Sequence, residues 1–260
     1  MRPSGGGSSV LGYHDHYVVD GGKARIILSA LTTPASIMDN TPMLDLTDWV
    51  CSRWRLTPKI AVADAKYGTV PNIVGLEERG IKAFLPMPDL SKRNNYYPRT
   101  RFDYAVENDQ YICPQGQPLP LHSRRQTEQV LVYRADAAVC NECPVKAKCT
   151  GSKSGRYIFR SFHQAYIERV EAYHQTEAYL KAMRKRGVWV EPLFGEAKQF
   201  HRLRRFRLRG LMKVNIEGVM VAAGQNLKRL IKHKCRVIFS LVKKATLRAN
   251  ALKISTFSTG

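Results

Sequence analysis

The stretch KIAVADAKYGTVPNIVGLEERGIKAFLP, residues 59–86, decides the fold class. Lys59–Ala63 is a short apolar run that ends on Asp64, Val70–Arg79 fits a helix stopped by Gly80, and Ile81–Leu85 is a second apolar run closed by Pro86. Two short apolar strands joined by a helix predict parallel pairing in a sheet covered by helices. A carboxylate at the C-terminal end of such a strand stands where open α/β sheets build their sites, although Asp64 is also placed to cap the turn that follows.

Upstream, Tyr13, Tyr17 and Val19 alternate with His14, His16 and Val18, Asp20-Gly21-Gly22 signals a turn, and Ala24–Leu31 is β-rich, so a hairpin ended by Pro34 is expected. His14 and His16 share one strand face; they suit a metal pair without a third ligand, or an exposed polar face. Asp39 or Asn40 can cap a helix with Pro42 in its first turn, running through Met43, Leu46 and Val50 towards Trp54. Residues 87–160 are polar, rich in Pro, Asn, Arg and Tyr, and hold four of the six cysteines, which suggests an insertion or small subdomain. From Ser161 the pattern is helical: Phe162, Tyr166, Val170, Tyr173, Leu180 and Met183 recur at helical spacing until Gly187. A second helix fits Val190–Phe200, and a third carries Met212, Ile216, Val219, Met220, Ala223, Leu227, Leu230 and Ile231 on one stripe. The expected organisation is 10–86, 87–160, 161–232 and a basic tail over 233–260.

The charge is strongly lopsided. The chain has 42 Lys and Arg against 21 Asp and Glu, net +21; residues 151–260 hold 24 and 6, and residues 1–150 hold 18 and 15. So basic a C-terminal part attracts polyanions, nucleic acid foremost, unless it is simply a solvated basic surface. No apolar run approaches the about 20 residues of a membrane helix, and Met1–Ser9 is small and polar, so neither secretion nor membrane insertion is expected.

Three clusters carry possible chemistry. In VEPLFGEAK, residues 190–198, Glu191 and Lys198 fall within about 20° of each other on a helix, Arg202 continues that stripe, and Val190, Leu193, Phe194 and Ala197 make an apolar face beside it. One carboxylate followed by cations suits a metal-assisted phosphodiester site or an ordinary solvated face. In HRLRRFRLR, residues 201–209, five arginines (Arg202, Arg204, Arg205, Arg207, Arg209) are interrupted by Leu203, Phe206 and Leu208, a pattern that can both pack and grip phosphate. Cys113, Cys140, Cys143 and Cys149 have spacing that suits a structural tetrahedral Zn²⁺; a redox pair at Cys140/Cys143 and free thiols are the alternatives. Cys51 and Cys235 are isolated and expected to be buried.

Taken together, GYHDHYVVD (12–20), TPASIMDN (33–40), VADAKYG (62–68), YICPQG…CNECPVKAKC (111–149) and VEPLFGEAK…RFRLRG (190–210) resemble the DDE transposases of bacterial insertion sequences, those with a Cys-rich insertion between the second Asp and the Glu. The resemblance implies an α/β, RNase H-like mixed sheet flanked by helices with a zinc-ribbon-like insertion, and Mg²⁺- or Mn²⁺-dependent cleavage and transfer of double-stranded DNA at element ends and target. It implies that Asp64 and Glu191 are the second and third acidic ligands, that Lys198 contacts DNA near the cut, and that Arg186 matches the Arg preceding the Glu. The family's first Asp lies on a strand ahead of the segment matching residues 12–31. That strand has no counterpart in this sequence, and Asp15 and Asp20 align outside the triad. A truncated transposase, inactive alone, is therefore expected, acting in the bacterial cytoplasm at the nucleoid, with a homo-oligomer possible. A non-enzymatic zinc-dependent DNA-binding protein and a metal-dependent nuclease outside transposition are the alternatives.

Overall fold

The computed structural model describes residues 12–88 and 95–255, with 235–255 described as backbone alone. The hairpin forms as strands β1 (Tyr13–Val19) and β2 (Ile27–Pro34), antiparallel, with Tyr13 opposite Pro34 and Tyr17 opposite Ala30. β2 begins at Ile27 rather than Ala24 because the turn is long: the Asp20 N–H donates to the Ile26 carbonyl at 2.9 Å, the Asp20 carboxylate accepts the Ile26 N–H at 2.8 Å, and Arg25 takes a left-handed φ of 54°. Helix α1 (Met43–Trp54) starts behind Pro42 with no side-chain cap, since Asp39 is drawn instead into ion pairs with His14 and Lys66. Cys51, on α1, is half-buried rather than buried, and the Cys235 side chain lies outside the described residues.

The β-α-β reading holds. β3 (Ile60–Val62) and β4 (Lys82–Phe84) pair in parallel, joined by helix α2 (Val70–Glu78) with Pro71 in its first turn and Gly80 at φ 71° just past its end. Ile73, Leu76, Ile81, Ala83 and Leu85 form a core with Val170, from helix α5 (Gln164–Tyr173). β3 itself is not sealed as expected: Ile60 is 42% exposed. Nor is there one mixed sheet among the described residues, since β1–β2 and β3–β4 are separate two-stranded pairs and β1 and β3 share no ladder.

The Cys-rich segment is a five-stranded antiparallel sheet in sequence order: β5 (Asp103–Ala105), β6 (Gln110–Ile112), β7 (Pro118–Arg125), β8 (Val130–Arg134) and β9 (Tyr157–Ser161). Short helices α3 (Ala137–Asn141) and α4 (Lys146–Cys149) lie between β8 and β9. Its own core holds Phe102, Tyr111, Leu119, Tyr133, Ile158 and Cys149. Tyr104 and Tyr133 both donate to the Asp109 carboxylate, at 2.8 and 2.5 Å, which lets the phenols be buried without an unmet hydroxyl.

The helical part divides differently from expectation. α5 stops at Tyr173, and Thr176 opens helix α6 (Glu177–Trp189) by accepting the Tyr179 N–H at 3.2 Å. Gly187 does not break the run but lies inside α6. Helix α7 (Glu191–Phe200) follows at once, and helix α8 (Leu211–Ser255) then runs unbroken across the 232/233 boundary read from composition. α8 packs along β2. Apart from Val214, the residues it turns inward are small or polar, Gly218, Ala222 and Gln225 among them.

Candidate functional site

Asp64 ends the β3 segment and caps the 3-10 turn Ala65–Tyr67: its Oδ1 accepts the Lys66 N–H at 3.0 Å. The loop around it is pinned from three sides. Lys66 Nζ reaches Asp39 at 2.9 Å, whose other oxygen meets His14 Nδ1 at 3.1 Å, and the Lys66 bond holds the Asp39 carboxyl below its ordinary value. Asn40 Nδ2 donates to the Lys66 carbonyl, while Asn72 Nδ2 holds the carbonyls of Asn40 and Tyr67. Gly68 leaves room for Pro86, since a Cβ there would collide with the Pro86 carbonyl. Burial, with Asp64 and Asp39 nearby, pushes the Tyr67 phenol up to about 12.

Glu191 opens α7 and is 66% exposed; its Oε1 accepts from Arg186 Nη2 at 3.3 Å across the α6–α7 junction. Arg186 and Glu191 are therefore brought together although Gly187 alters the spacing between them. The apolar face is as read: Leu193 and Ala197 are sealed, and Phe194 stacks on Tyr17 at 4.6 Å. Lys198 is exposed two turns on. The stripe ends there, because α7 stops at Phe200 and Arg202 sits in a loop at φ 59°. Among the described residues no three His, Cys, Asp or Glu side chains converge as a metal site would require. His16, at 2.8 Å from Thr33 Oγ1, is lowered mainly by burial, and Asp20 is spent on its turn. Asp15 faces α8 beside Thr32 and Gly218, where burial pushes its carboxyl up to about 6.

The arginine loop, 201–210, is held by one residue that the sequence reading missed. Glu217 of α8 is buried and accepts the backbone N–H groups of Arg207 (3.0 Å) and Leu208 (3.0 Å) and the Arg207 side chain (3.4 Å). These bonds outweigh burial and lower its carboxyl. Leu203 is buried, Phe206 meets Tyr13 edge-on at 5.9 Å, and Arg202, Arg204, Arg205 and Arg209 are left exposed. A second missed residue is Glu196, clamped by Arg229 (2.6 Å) and Lys228 (3.0 Å). The signal was present: Asn215 and Asn226, eleven apart and so on one helical face, bond the backbone of β2, which fixes which side of α8 turns inward.

Cys113, Cys140, Cys143 and Cys149 line one cavity of about 180 Å³ between the β6–β7 loop and helices α3 and α4. Cys113 Sγ accepts the N–H groups of Gln115 and Gln117, both at 3.3 Å, in a turn that Gly116 makes with φ 74°. Burial raises the Cys149 thiol, and the other three sulfurs add to the rise.

Residues 112–231 match the family model described as "Transposase DDE domain". That stretch holds Glu191, Lys198, the arginine loop and all four of these cysteines, and it makes the chain's resemblance that of a DDE transposase; Asp64 lies outside it. No curated protein and no solved structure matches the chain. The described residues form a mixed α/β fold compatible with a DDE-type domain, and none of their helices is long and apolar enough to cross a membrane.

Proposed function

We propose that the chain is an insertion-sequence transposase acting on double-stranded DNA, with an RNase H-like core. The observation that carries this is the transposase match over 112–231, which spans the exposed Glu191 and the arginine loop beside it. Asp64 and Glu191 would hold Mg²⁺ or Mn²⁺: they are the carboxylates that the resemblance assigns as ligands, and each accepts a single bond, from the Lys66 N–H and from Arg186, rather than being clamped as Glu196 and Glu217 are. A divalent ion bound there supplies Lewis-acid chemistry at a scissile phosphodiester. Arg186 orients Glu191, and Lys198, Arg202, Arg204, Arg205, Arg207 and Arg209 hold backbone phosphates, with Glu217 fixing the loop that presents them. No three His, Cys, Asp or Glu side chains converge as a metal site among the described residues, and the reading takes this chain alone to bind the ion weakly and DNA without cutting it. An insertion sequence has two ends, so the reading also takes the protein to act as a homo-oligomer at the nucleoid.

The same reading gives the Cys cavity a structural Zn²⁺. Its support is the pair of N–H···S bonds on Cys113, which favour a thiolate, and the four sulfurs around one space, which must draw in to meet an ion. Native mass spectrometry should find one zinc per chain, lost in Cys143→Ser.

The test is duplex binding by fluorescence anisotropy across a salt series. Arg204→Ala/Arg205→Ala should weaken binding and reduce the log–log salt slope by about 2, while Asp64→Asn and Glu191→Gln leave it intact. Binding indifferent to both arginines overturns the reading. A non-enzymatic zinc-dependent DNA-binding protein is favoured instead if Cys143→Ser alone abolishes binding. Nicking of supercoiled plasmid in Mg²⁺ that Glu191→Gln removes would show that two carboxylates suffice.

A further inference from the structure

Helix α8 has two faces of opposite use. One is occupied: Asn215, Gly218, Ala222, Asn226 and Arg229 lie against β2 and Glu196. On the other, Met212, Ile216, Val219, Met220, Leu227, Leu230 and Ile231 fall within an arc of about 120° at 100° per residue. All seven are 45% exposed or more, Met212 reaching 79%. Small Ala223 sits at the middle of this stripe; the groove of about 440 Å³ beside Met220 is half polar, lined also by His201, Arg202, Arg207 and Glu217, and belongs to the arginine loop rather than to the stripe. We propose that this outward stripe is where a second copy of the chain docks, α8 against α8.

The area is the argument. The exposed parts of these seven side chains amount to roughly 800 Å², which is what each partner buries in a dimer of standard size. The largest apolar patch on a monomer is typically nearer 300–600 Å². The stripe also repeats over about 28 Å of helix, so two such faces can lie along each other and bury both at once. Its borders are basic, with Lys213 at one end and Lys234 at the other. Two copies therefore meet through apolar surface against like-charge repulsion, and added salt should tighten the dimer where it loosens DNA. The inference rests on the homo-oligomer of the proposed function and names its surface; a monomer would overturn it while leaving duplex binding and its dependence on Arg204 and Arg205 untouched.

Sedimentation equilibrium of the full chain at about 0.1 M and about 0.5 M salt tests it. A species of twice 29.5 kDa is expected, favoured by the higher salt. Met220→Glu/Leu227→Glu should raise the dimer dissociation constant by at least about 100-fold with the circular dichroism unchanged. Val106→Glu, at an exposed apolar residue far along the chain, should not. A chain that is monomeric at both salts, or a dimer that survives the double variant, overturns the proposal.

Discussion

In the five-stranded sheet β5–β9, the three inner strands each have a ladder on both sides, and Leu119 and Tyr133 are wholly sealed between them and the flanking segments. β1–β2 and β3–β4 have one ladder apiece, and β3 is three residues long with Ile60 half in solvent. The metal-site candidate Asp64 thus hangs from the less supported part. Its position is set by side-chain pins — Asn40, Lys66 and Asn72 — rather than by a continuous sheet. The Cys-rich part is by contrast organised from within, by stacked tyrosines and one shared carboxylate.

That contrast can be broken at single residues. Leu119→Ala should cost about 4 kcal/mol in urea unfolding, and Ile60→Ala less than about 1, because only the first leaves a cavity. Equal costs would mean that β3 is as well supported as β7. The next effect is electrostatic. Asp15 has its folded value raised from 3.8 to about 6, so its protonated form favours the fold, fully below about pH 4, and that contribution is lost as the pH rises through 6. The stability difference between Asp15→Asn and the wild type should therefore grow by about 2 kcal/mol between pH 4 and pH 7. The carboxylates whose values are lowered, Asp39, Asp48, Asp109, Glu196 and Glu217, act in the opposite sense and cancel in that difference. A pH-independent difference would place Asp15 in water. Smaller still is the contrast within α7. Glu196→Gln, which leaves the half-buried Arg229 without its carboxylate, should cost about 2 kcal/mol. Glu191→Gln should cost less than about 0.5, being an exposed pair. Matching values would deny Glu191 the freedom that a ligand needs.

The hairpin, the β-α-β unit and α7 were legible because each carries its period in an apolar pattern: Ala61, Ala83 and Leu85 on strands, Leu193 and Ala197 on a helix. The five-stranded sheet was not, because β5 and β6 have three residues each and are stabilised by Tyr104, Tyr111 and Asp109 rather than by an apolar run. In α8 the apolar stripe read from the sequence does not mark the buried side. The large apolar residues point outward, while close approach to β2 selected Gly218 and Ala222, whose missing bulk is the contact. The candidate site was legible as residue types and, for Glu191, through its spacing to Lys198, but not as pairings: that Glu196 is held by Lys228 and Arg229 depends on the cations of a distant helix.

One border of the hairpin has a consequence for how this protein keeps its own company. Asn226 takes the N–H and the carbonyl of Ile27, Trp54 donates to the carbonyl of Leu28, and Asn215 takes the N–H of Thr32. Four backbone groups of β2 are thereby occupied by side chains that imitate a neighbouring strand without being one. A bare strand edge is a template for stacking chain upon chain into fibrils. Here that side is stoppered, so growth of this sheet, whether useful or pathological, has to begin along β1.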